Sequence, residues 1–473
     1  MNSVNVTSEG PLYELISRGN KDKYFFADEP GAVYPYDNRY KPVPAQIHER
    51  RRLPPLQAAE FGRAIDFDFE IAGDVIVEPA LLITLPTWLP EAQAALNYKS
   101  VITDLSGVSY GYTRGIAYYL FEKIQFYQDR ILLQEWSGDG LFAITRSQGS
   151  LNSAFLENAL TGVHDGGAIS IGKNATPGVL RLSLPLIGCQ DLNDGGFPRV
   201  SAVHQNFRIR CILRKLEDLV EASDGRAQPI PWGTGNGGKI FQIKTSATAT
   251  PVQFTTLERL AMGPPNIEIE TRHIYVDGDT QNALRQDKIV TLYERSYENH
   301  FTQGPLDYSP LRRGGVAQVP RILDADHPGG RVVLGFRSAT ALSANQRWKY
   351  TVGETTDETD TFYNQFSLIL AGRDREYFWT PLVWRYLEQH AKEERDSGYN
   401  LSFINWTLGD IRGRLAPYPR QLEGTLNWTS AIRPTLLIDL KDIVFQNSFL
   451  DVYIEGWAAL EFEKGRATML FGN

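Results

Sequence analysis

Apolar and polar residues alternate over several separate stretches of this chain, a pattern typical of β-strands that bury one face. The clearest stretch is 65–71, with an acidic residue at every second position, and the same period of two returns at 207–213 and 267–276. Cys211 falls on the apolar face of its strand, so we expect it to be buried. Apolar runs of strand length add three candidates, at 80–85, 435–440 and 450–462.

A spacing of three and four residues separates the apolar positions between Asp287 and His300. This helical period predicts a short amphipathic helix. The strands on either side of it fall into two groups. The pattern therefore predicts two consecutive β-sandwiches, at 60–282 and 300–473, joined by a connector helix at 283–299.

Residues 1–59 differ in composition, because prolines and tyrosines replace the periodic apolar positions. Proline fixes the backbone φ angle, so a proline-rich segment without periodicity predicts an extended N-terminal arm instead of a core. Near its end the arm carries three consecutive arginines, Arg50, Arg51 and Arg52. They either form a solvated charge cluster or anchor the arm on an acidic partner or an anionic lipid.

Charge and composition exclude several kinds of partner. The 56 acidic and 48 basic residues leave a formal net charge of −8, and this charge does not favour direct binding of nucleic acid, which is itself negatively charged. No apolar run reaches the roughly 18 residues of a membrane span, and the first residues lack the features of a signal peptide. Cys189 and Cys211 are too few for a disulfide framework or a four-cysteine zinc site. We therefore expect a protein made in a reducing compartment.

Three glycine motifs imitate catalytic or nucleotide-binding loops, but their surroundings do not fit. The G-x-S-x-G at 107–111 lacks the parallel strand and helix of a nucleophile elbow. The phosphate-loop-like 167–173 is followed by Asn174 where a Mg²⁺-binding hydroxyl is needed. The G-x-G-x-x-G at 233–238 precedes a strand instead of a helix. Since the seven histidines form no H-x-H pair either, we predict no catalytic residue, cofactor or metal.

Five N-x-S/T sequons occur along the chain. Asn174, in a loop flanked by proline and glycine, is the best placed of them for glycosylation. Because no secretory signal is found, chance occurrence is the simpler interpretation of all five.

Seven short segments stand out by their sequence and order. They are LISRGNKDKYF at 15–25, FG…GD…LLITLP at 61–86, YTRGIA at 112–117, LRLSLPL…AVHQ at 180–205, HIYVD at 273–277, GTLNWT at 424–429 and NSFLDVYIEG at 447–456. In this order they resemble segments of the double jelly-roll major capsid protein of nucleocytoplasmic large DNA viruses, of the iridovirus and phycodnavirus type. The proline- and tyrosine-rich stretch at 30–55 departs from that family, which is usually rich in Phe and Arg there.

The resemblance implies an all-β fold of two consecutive eight-stranded jelly-roll β-sandwiches. It also implies a structural protein without enzymatic activity: a homotrimer whose pseudo-hexagonal capsomers tile the icosahedral shell of a large dsDNA virus. The implied location is the virion, after synthesis and assembly in the host cytoplasm. The implied partners are neighbouring capsomers, minor capsid and penton proteins, and an internal membrane reached by the N-terminal arm.

Two other functions fit the same pattern. The 9 tryptophans and 22 tyrosines would also suit a carbohydrate-binding or glycan-processing β-sandwich, which predicts a monomer or dimer with glycan affinity. A minor capsid paralogue with the same fold is the third interpretation.

Overall fold

The structure, a computed structural model, describes most of residues 45–470. The chain separates into two units, Met1–Ala45 and Gln46–Asn473, and the account below concerns the second. The segments outside the description are 1–44, 70–72, 87–100, 105–108, 149–159, 163–178, 190–194, 226, 228–240, 245–251, 255–263, 305–306, 308–317, 353–357, 389–398, 407–423, 442–446 and 471–473.

The described part of the first half forms three antiparallel sheets. Their orders are β1-β13-β3-β8, β2-β9-β6-β7 and β10-β5-β4-β11-β12. The strands are β1 (Gln46–Leu53), β2 (Ala64–Asp68), β3 (Val75–Thr84), β4 (Val101–Asp104), β5 (Ser109–Tyr112), β6 (Phe121–Gln128), β7 (Ile131–Ser137), β8 (Leu180–Ser183), β9 (Phe207–Leu213), β10 (Val220–Ala222), β11 (Phe241–Lys244), β12 (Val252–Phe254) and β13 (Asn266–Val276).

The described part of the second half forms two antiparallel sheets. Their orders are β14-β22-β16-β19 and β15-β21-β17-β18, with β20 added to β16 and β23 added to β22. The strands are β14 (Ile289–Gln303), β15 (Val319–Ile322), β16 (Pro328–Ser338), β17 (Tyr363–Leu370), β18 (Arg373–Trp379), β19 (Leu401–Asn405), β20 (Leu426–Asn427), β21 (Thr435–Leu440), β22 (Ser448–Glu463) and β23 (Arg466–Met469).

The two halves share one strand order. When the extra strands β4, β5, β10–β12, β20 and β23 are set aside, eight strands remain in each half. In both, the first, eighth, third and sixth strands form one sheet, and the second, seventh, fourth and fifth form the other. This is the jelly-roll order, so the predicted all-β fold of two consecutive eight-stranded jelly rolls is confirmed.

Helical segments are short and lie in the connections between strands. The α-helices are α1 (Ile116–Tyr119), α2 (Gly138–Gln148), α3 (Gly278–Gln286) and α4 (Ala339–Ser343), the 3₁₀ segments are Arg199–Ala202, Leu216–Leu219 and Glu358–Asp360, and the π-helix is Leu382–Leu387. α2 follows β7 directly, and the π-helix begins three residues after the end of β18.

The predicted connector helix is displaced. The helix between the jelly rolls is α3, which begins where the Asp277 carboxylate accepts a hydrogen bond from Thr280 N at 3.0 Å. Residues 283–286 of the predicted helix belong to α3, but residues 289–299 belong instead to strand β14, which pairs with β22 over all 15 of its residues. Both faces of β14 are partly covered, so its apolar residues follow no period of two.

The predicted arm at 1–59 is also corrected at its end. Residues 46–53, including Arg50, Arg51 and Arg52, form strand β1 at the edge of the first jelly roll, paired with β13. Every residue of β1 is exposed or half-buried, and an edge strand exposed on both faces shows no alternation in sequence. Residues 1–44 of the predicted arm lie outside the described residues.

The apolar core runs through both halves. In the first jelly roll Phe69, Phe126, Phe197 and Phe207 pack ring against ring, with centroids 4.9–6.3 Å apart. The same buried cluster continues into the second half, for example at Tyr453 of β22. A second cluster fills the interior of the second jelly roll alone. The jelly rolls therefore share apolar packing where they meet.

Candidate functional site

The two jelly rolls meet where the end of β7 and the start of α2 face β14, β16 and β22. In β7, Gln134 Nε2 donates to the carbonyl oxygen of Glu294 at 2.9 Å. Ser137 N donates to Glu298 Oε1 at 2.8 Å. A Cβ atom at Gly140 would lie 2.6 Å from Glu298 Oε1, so the glycine permits the close approach of α2. We call this contact the junction.

Asp139, in the first turn of α2, lies at the centre of the junction and is 5% exposed. Its Oδ1 accepts from Arg337 Nη1 of β16 at 2.5 Å. Its Oδ2 accepts from Arg214 Nη2 of the first jelly roll, also at 2.5 Å, and lies 3.5 Å from Arg347 Nη1 of the second. Arg337 also donates to Asp451 Oδ2 of β22, through Nε at 2.9 Å and Nη2 at 2.5 Å. One buried ionic network thus joins the two halves.

Charge within this network decides the protonation of its members. Burial alone would raise the pKa of Asp139, but Arg337, Arg214 and Arg347 outweigh it and hold the pKa well below its usual range. Burial would lower the pKa of Arg337, but Asp451 and Asp139 raise it well above its usual range. The network is therefore ionised at neutral pH, and each buried charge has partners of the opposite sign.

His300 of β14 extends the network towards solvent. Its Nδ1 lies 2.6 Å from Asp451 Oδ1, and its Nε2 lies 3.5 Å from Glu298 Oε2. Hydrogen bonds to Asp451 and then to Glu298 raise the pKa of His300 from 6.5 to about 10. The imidazole is therefore a cation at neutral pH and completes the pairing of the two carboxylates.

A second polar contact crosses between the jelly rolls at Glu221, which is 1% exposed in β10. The Glu221 carboxylate accepts from the Thr113 hydroxyl, from Arg114 N at 3.1 Å and from Trp348 Nε1 of the second half at 2.9 Å. Nearby, Asn345 Nδ2 donates to the carbonyl oxygen of Val220 at 2.7 Å. Burial raises the pKa of Glu221 to about 7, although the three hydrogen bonds oppose that rise.

This arrangement is suited to holding two domains in a fixed relation. Among the described residues, no group of three or more His, Cys, Asp or Glu side chains is placed to hold a metal ion. Within those residues, too, no helix is long and apolar enough to cross a membrane. The polar groups of the junction are bound to one another across the two halves, so their evident role is structural.

The arginines singled out in the sequence lie away from the junction, on the edge strand β1. Arg52 Nε lies 3.4 Å and Arg50 Nη1 4.0 Å from the buried carboxylate of Glu270 in β13. Arg51 faces the other side, where its Nη2 lies 3.0 Å from Glu49 Oε2. All three arginine side chains are more than a third exposed, so these ion pairs offset only a small part of their charge.

Asn174, the predicted glycosylation position, lies outside the described residues. Cys211 is fully buried as predicted, and burial raises the pKa of its thiol well above the usual range. The members of the junction were not found by sequence reasoning. The one available signal was a charged residue inside or beside an apolar strand, as at Arg337 and Asp451.

Two jelly rolls of identical strand order, packed through a shared core, define the double jelly-roll class of fold. The chain is similar to VP54 of PBCV-1 as fitted into a reconstruction of the virophage Sputnik, with 12% identity, a TM-score of 0.65, and coverage of 93% of this chain and 100% of that one. It is similar to the Faustovirus major capsid protein, with 14% identity, a TM-score of 0.61, and coverage of 92% and 93%.

The chain is also similar to the cryo-EM structure of the Sputnik virophage, with 10% identity, a TM-score of 0.53, and coverage of 94% of this chain and 93% of that one. No protein-family model matches the sequence, and no curated protein matches it. The similarity is therefore one of fold over nearly the whole chain, and the fold predicted from the resemblance is confirmed.

Proposed function

We propose that this chain is a structural major capsid protein, whose homotrimers form the pseudo-hexagonal capsomers of an icosahedral shell of a large dsDNA virus. The observation that carries the proposal is the duplicated jelly roll, which matches solved capsid structures over nearly the whole chain. A buried ionic network then holds the two jelly rolls in a fixed relation. The role is structural, not enzymatic.

The duplication explains how three copies make a six-sided unit. A hexagonal lattice needs six similar lateral faces, and three copies of a double jelly roll supply them. Jelly rolls also limit the length of exposed strand edges, which would otherwise promote uncontrolled association. Within the trimer we expect a permanent interface of roughly 2,000 Å² or more for each pair of copies.

The proposed location is the virion shell, with synthesis and assembly in the host cytoplasm. Neighbouring capsomers, minor capsid proteins and penton proteins are the proposed partners of the trimer, and the internal membrane is a proposed partner of the N-terminal segment. Arg50, Arg51 and Arg52 are the proposed anchoring residues of that segment, because their side chains keep 57%, 38% and 63% of their surface exposed beside their acidic partners. Direct binding of nucleic acid is not part of the proposal, since the net charge is −8.

The mass of the purified protein in solution tests the proposal. Light scattering after size exclusion should give three times the chain mass of 53.2 kDa, about 160 kDa, and negative-stain images of that peak should show a hexagonal outline. A monodisperse 53.2 kDa monomer would overturn the capsomer, and glycan-binding screens would then test the carbohydrate-binding alternative.

A further inference from the structure

Strand β22, the eighth strand of the second jelly roll, contributes to two separate cores. In its first half, Leu450, Val452 and Ile454 are buried in the cluster that fills the second jelly roll. In its second half, Leu460 and Phe462 are fully buried in the cluster that fills the first jelly roll. A strand that belongs to the second jelly roll therefore supplies part of the interior of the first.

The end of β22 turns back as β23, and the resulting hairpin packs on the first jelly roll. Phe462 pairs with Ala467 across the hairpin, and both side chains are buried. The Phe462 ring lies edge-on to the ring of Phe197, with centroids 5.7 Å apart. Phe197 in turn packs against the phenylalanine rings of the first jelly roll. We call the paired residues 460–469 the closing hairpin.

Polar groups of the first jelly roll bind the backbone of the closing hairpin. Ala467 N donates to Gln205 Oε1 at 2.6 Å, and Gln205 Nε2 donates to the carbonyl oxygen of Ala467 at 3.1 Å. The buried Gln128 Nε2 donates to the same carbonyl oxygen at 2.6 Å. His204 N donates to the carbonyl oxygen of Gly465 at 3.1 Å. Both backbone polar groups of the buried Ala467 thus find their partners in the first jelly roll.

A buried arginine holds the turn that carries His204 and Gln205. Arg199 is 1% exposed, and its Nη1 donates to the carbonyl oxygen of Ala202 at 2.5 Å. Its Nη2 donates to the carbonyl oxygen of Gln205 at 3.0 Å, and its guanidinium carbon lies 5.2 Å from the ring centre of Phe207. The first jelly roll therefore shapes its own binding site for the closing hairpin.

The turn of the closing hairpin allows a close approach to that site. Lys464 and Gly465 both have positive φ angles, of 51° and 79°, as favoured in two-residue hairpin turns. A Cβ atom at Gly465 would lie 2.7 Å from His204 Cδ2. Glycine at this position thus permits both the left-handed backbone and the contact with His204.

We propose that the closing hairpin completes the core of the first jelly roll, which reaches its native packing only when residues 460–469 have docked. Gln205 and Ala467 are 262 positions apart, so the first jelly roll depends on a segment that follows seven strands of the second. When the hairpin leaves, the Phe197 ring loses the contact with Phe462 and Gln128 loses its acceptor. The first jelly roll then opens, while the core around Leu450 and Val452 keeps its packing.

Hydrogen exchange followed by mass spectrometry tests the proposal, because it measures protection in each jelly roll separately. Residues 207–213 of β9 report on the first jelly roll, and residues 435–440 of β21 report on the second. Phe462→Ala should speed exchange in β9 by roughly a hundredfold, since removing a buried phenylalanine ring shifts a local opening equilibrium by at least that factor. Exchange in β21 should not change.

Phe366→Ala is the matched control. Phe366 is as fully buried as Phe462, but it lies in the core of the second jelly roll. Its truncation should speed exchange in β21 and leave β9 unchanged. If Phe462→Ala yields too little folded protein, Phe462→Leu replaces it and should give a smaller acceleration in the same strand.

Two glycine variants test the docking of the turn. Gly372, in the turn between β17 and β18, has a φ angle of 75°, and a Cβ atom there would meet nothing within 4 Å. Gly465→Val and Gly372→Val therefore introduce similar backbone strain, but only Gly465→Val also pushes against His204. Gly465→Val should speed exchange in β9, whereas Gly372→Val should leave β9 unchanged.

The outcomes decide the proposal without reference to the capsomer, because it concerns a single chain. Unchanged exchange of β9 in both Phe462→Ala and Gly465→Val overturns it, since the first jelly roll then keeps its packing without the closing hairpin. Equal acceleration of β9 and β21 in Phe462→Ala also overturns it, because the two jelly rolls then open as one unit. The mass in solution, which tests the capsomer, is a separate measurement.

Discussion

Replacing Glu221 by glutamine should make the protein more stable at alkaline pH. The Glu221 carboxyl is buried where the two jelly rolls meet and accepts a hydrogen bond from Trp348 Nε1 at 2.9 Å. Glutamine has nearly the same shape and keeps an oxygen to accept that bond, but it cannot ionise. The substitution therefore removes the cost of a buried charge with little change in packing.

The size of the effect follows from the pKa. Burial raises the pKa of Glu221 from 4.5 to about 7, so the folded protein holds this proton more tightly than the unfolded chain does. The stability contributed by the protonated group is complete below pH 4.5 and is lost as pH rises through 7. At about 1.4 kcal/mol for each pH unit between the two values, the loss amounts to about 3 kcal/mol.

Calorimetric unfolding at pH 5 and pH 8.5 measures most of this difference. With an unfolding entropy of about 2 cal/mol/K per residue, 3 kcal/mol corresponds to about 3 °C for a chain of 473 residues. The Tm of the Glu221→Gln variant, relative to the unchanged protein, should therefore rise by about 3 °C between the two pH values. Glu122→Gln, at an exposed position of β6, is the control. A difference in Tm for Glu221→Gln that does not change with pH would refute the reasoning.

Three further experiments probe the junction and the core. Arg337→Met leaves two buried carboxylates without their shared cation, so it should lower the free energy of chemical unfolding by about 3–5 kcal/mol. The exposed Arg373→Met is the control and should lower it little, and equal losses for the two variants would contradict a special role for the network. Because the pKa of His300 is raised, the stability that its pairing contributes is complete below pH 6.5 and is lost as pH rises to about 10. His300→Gln should therefore flatten the plot of unfolding free energy against pH in that window, and an unchanged slope would contradict the pairing. A thiol reagent should label at most Cys189 in the native protein, and Cys211 only after denaturation. Rapid labelling of both cysteines in the native protein would contradict the packing around Cys211.

Alternation of apolar and polar residues identified the strands that have one face in the core and one in solvent. In β9, for example, Phe207, Ile209, Cys211 and Leu213 are buried while the residues between them are half-exposed. The pattern failed at β1 and β14, which are the first strands of the two jelly rolls. β1 is exposed along both faces, and β14 is partly covered on both, so neither strand has a period of two.

The residues of the junction could not be predicted from the sequence, for a different reason. Asp139 and Asp451 are 312 positions apart, and only the folded chain brings both carboxylates to Arg337. The three consecutive arginines of β1 fit either a solvated charge cluster or an anchor in sequence, and the structure adds that each lies near a carboxylate on β13 or within β1 itself. A charge cluster in sequence shows where charge is, and only the fold shows which part of it is already paired.

The ionic network of the junction sets the orientation of the two jelly rolls more than it adds stability. Apolar residues of similar volume would fill the same space at no greater cost, because burying charges offsets much of what their pairing contributes. Apolar contacts, however, tolerate sliding. The two oxygens of Asp139 accept from Arg214 of one jelly roll and from Arg337 of the other, and these directional, charge-assisted bonds constrain the rotation of one jelly roll against the other. In the proposed ring of six jelly rolls any error in the angle within a chain would recur three times, so closure of that ring would depend on this angle being fixed before the copies meet.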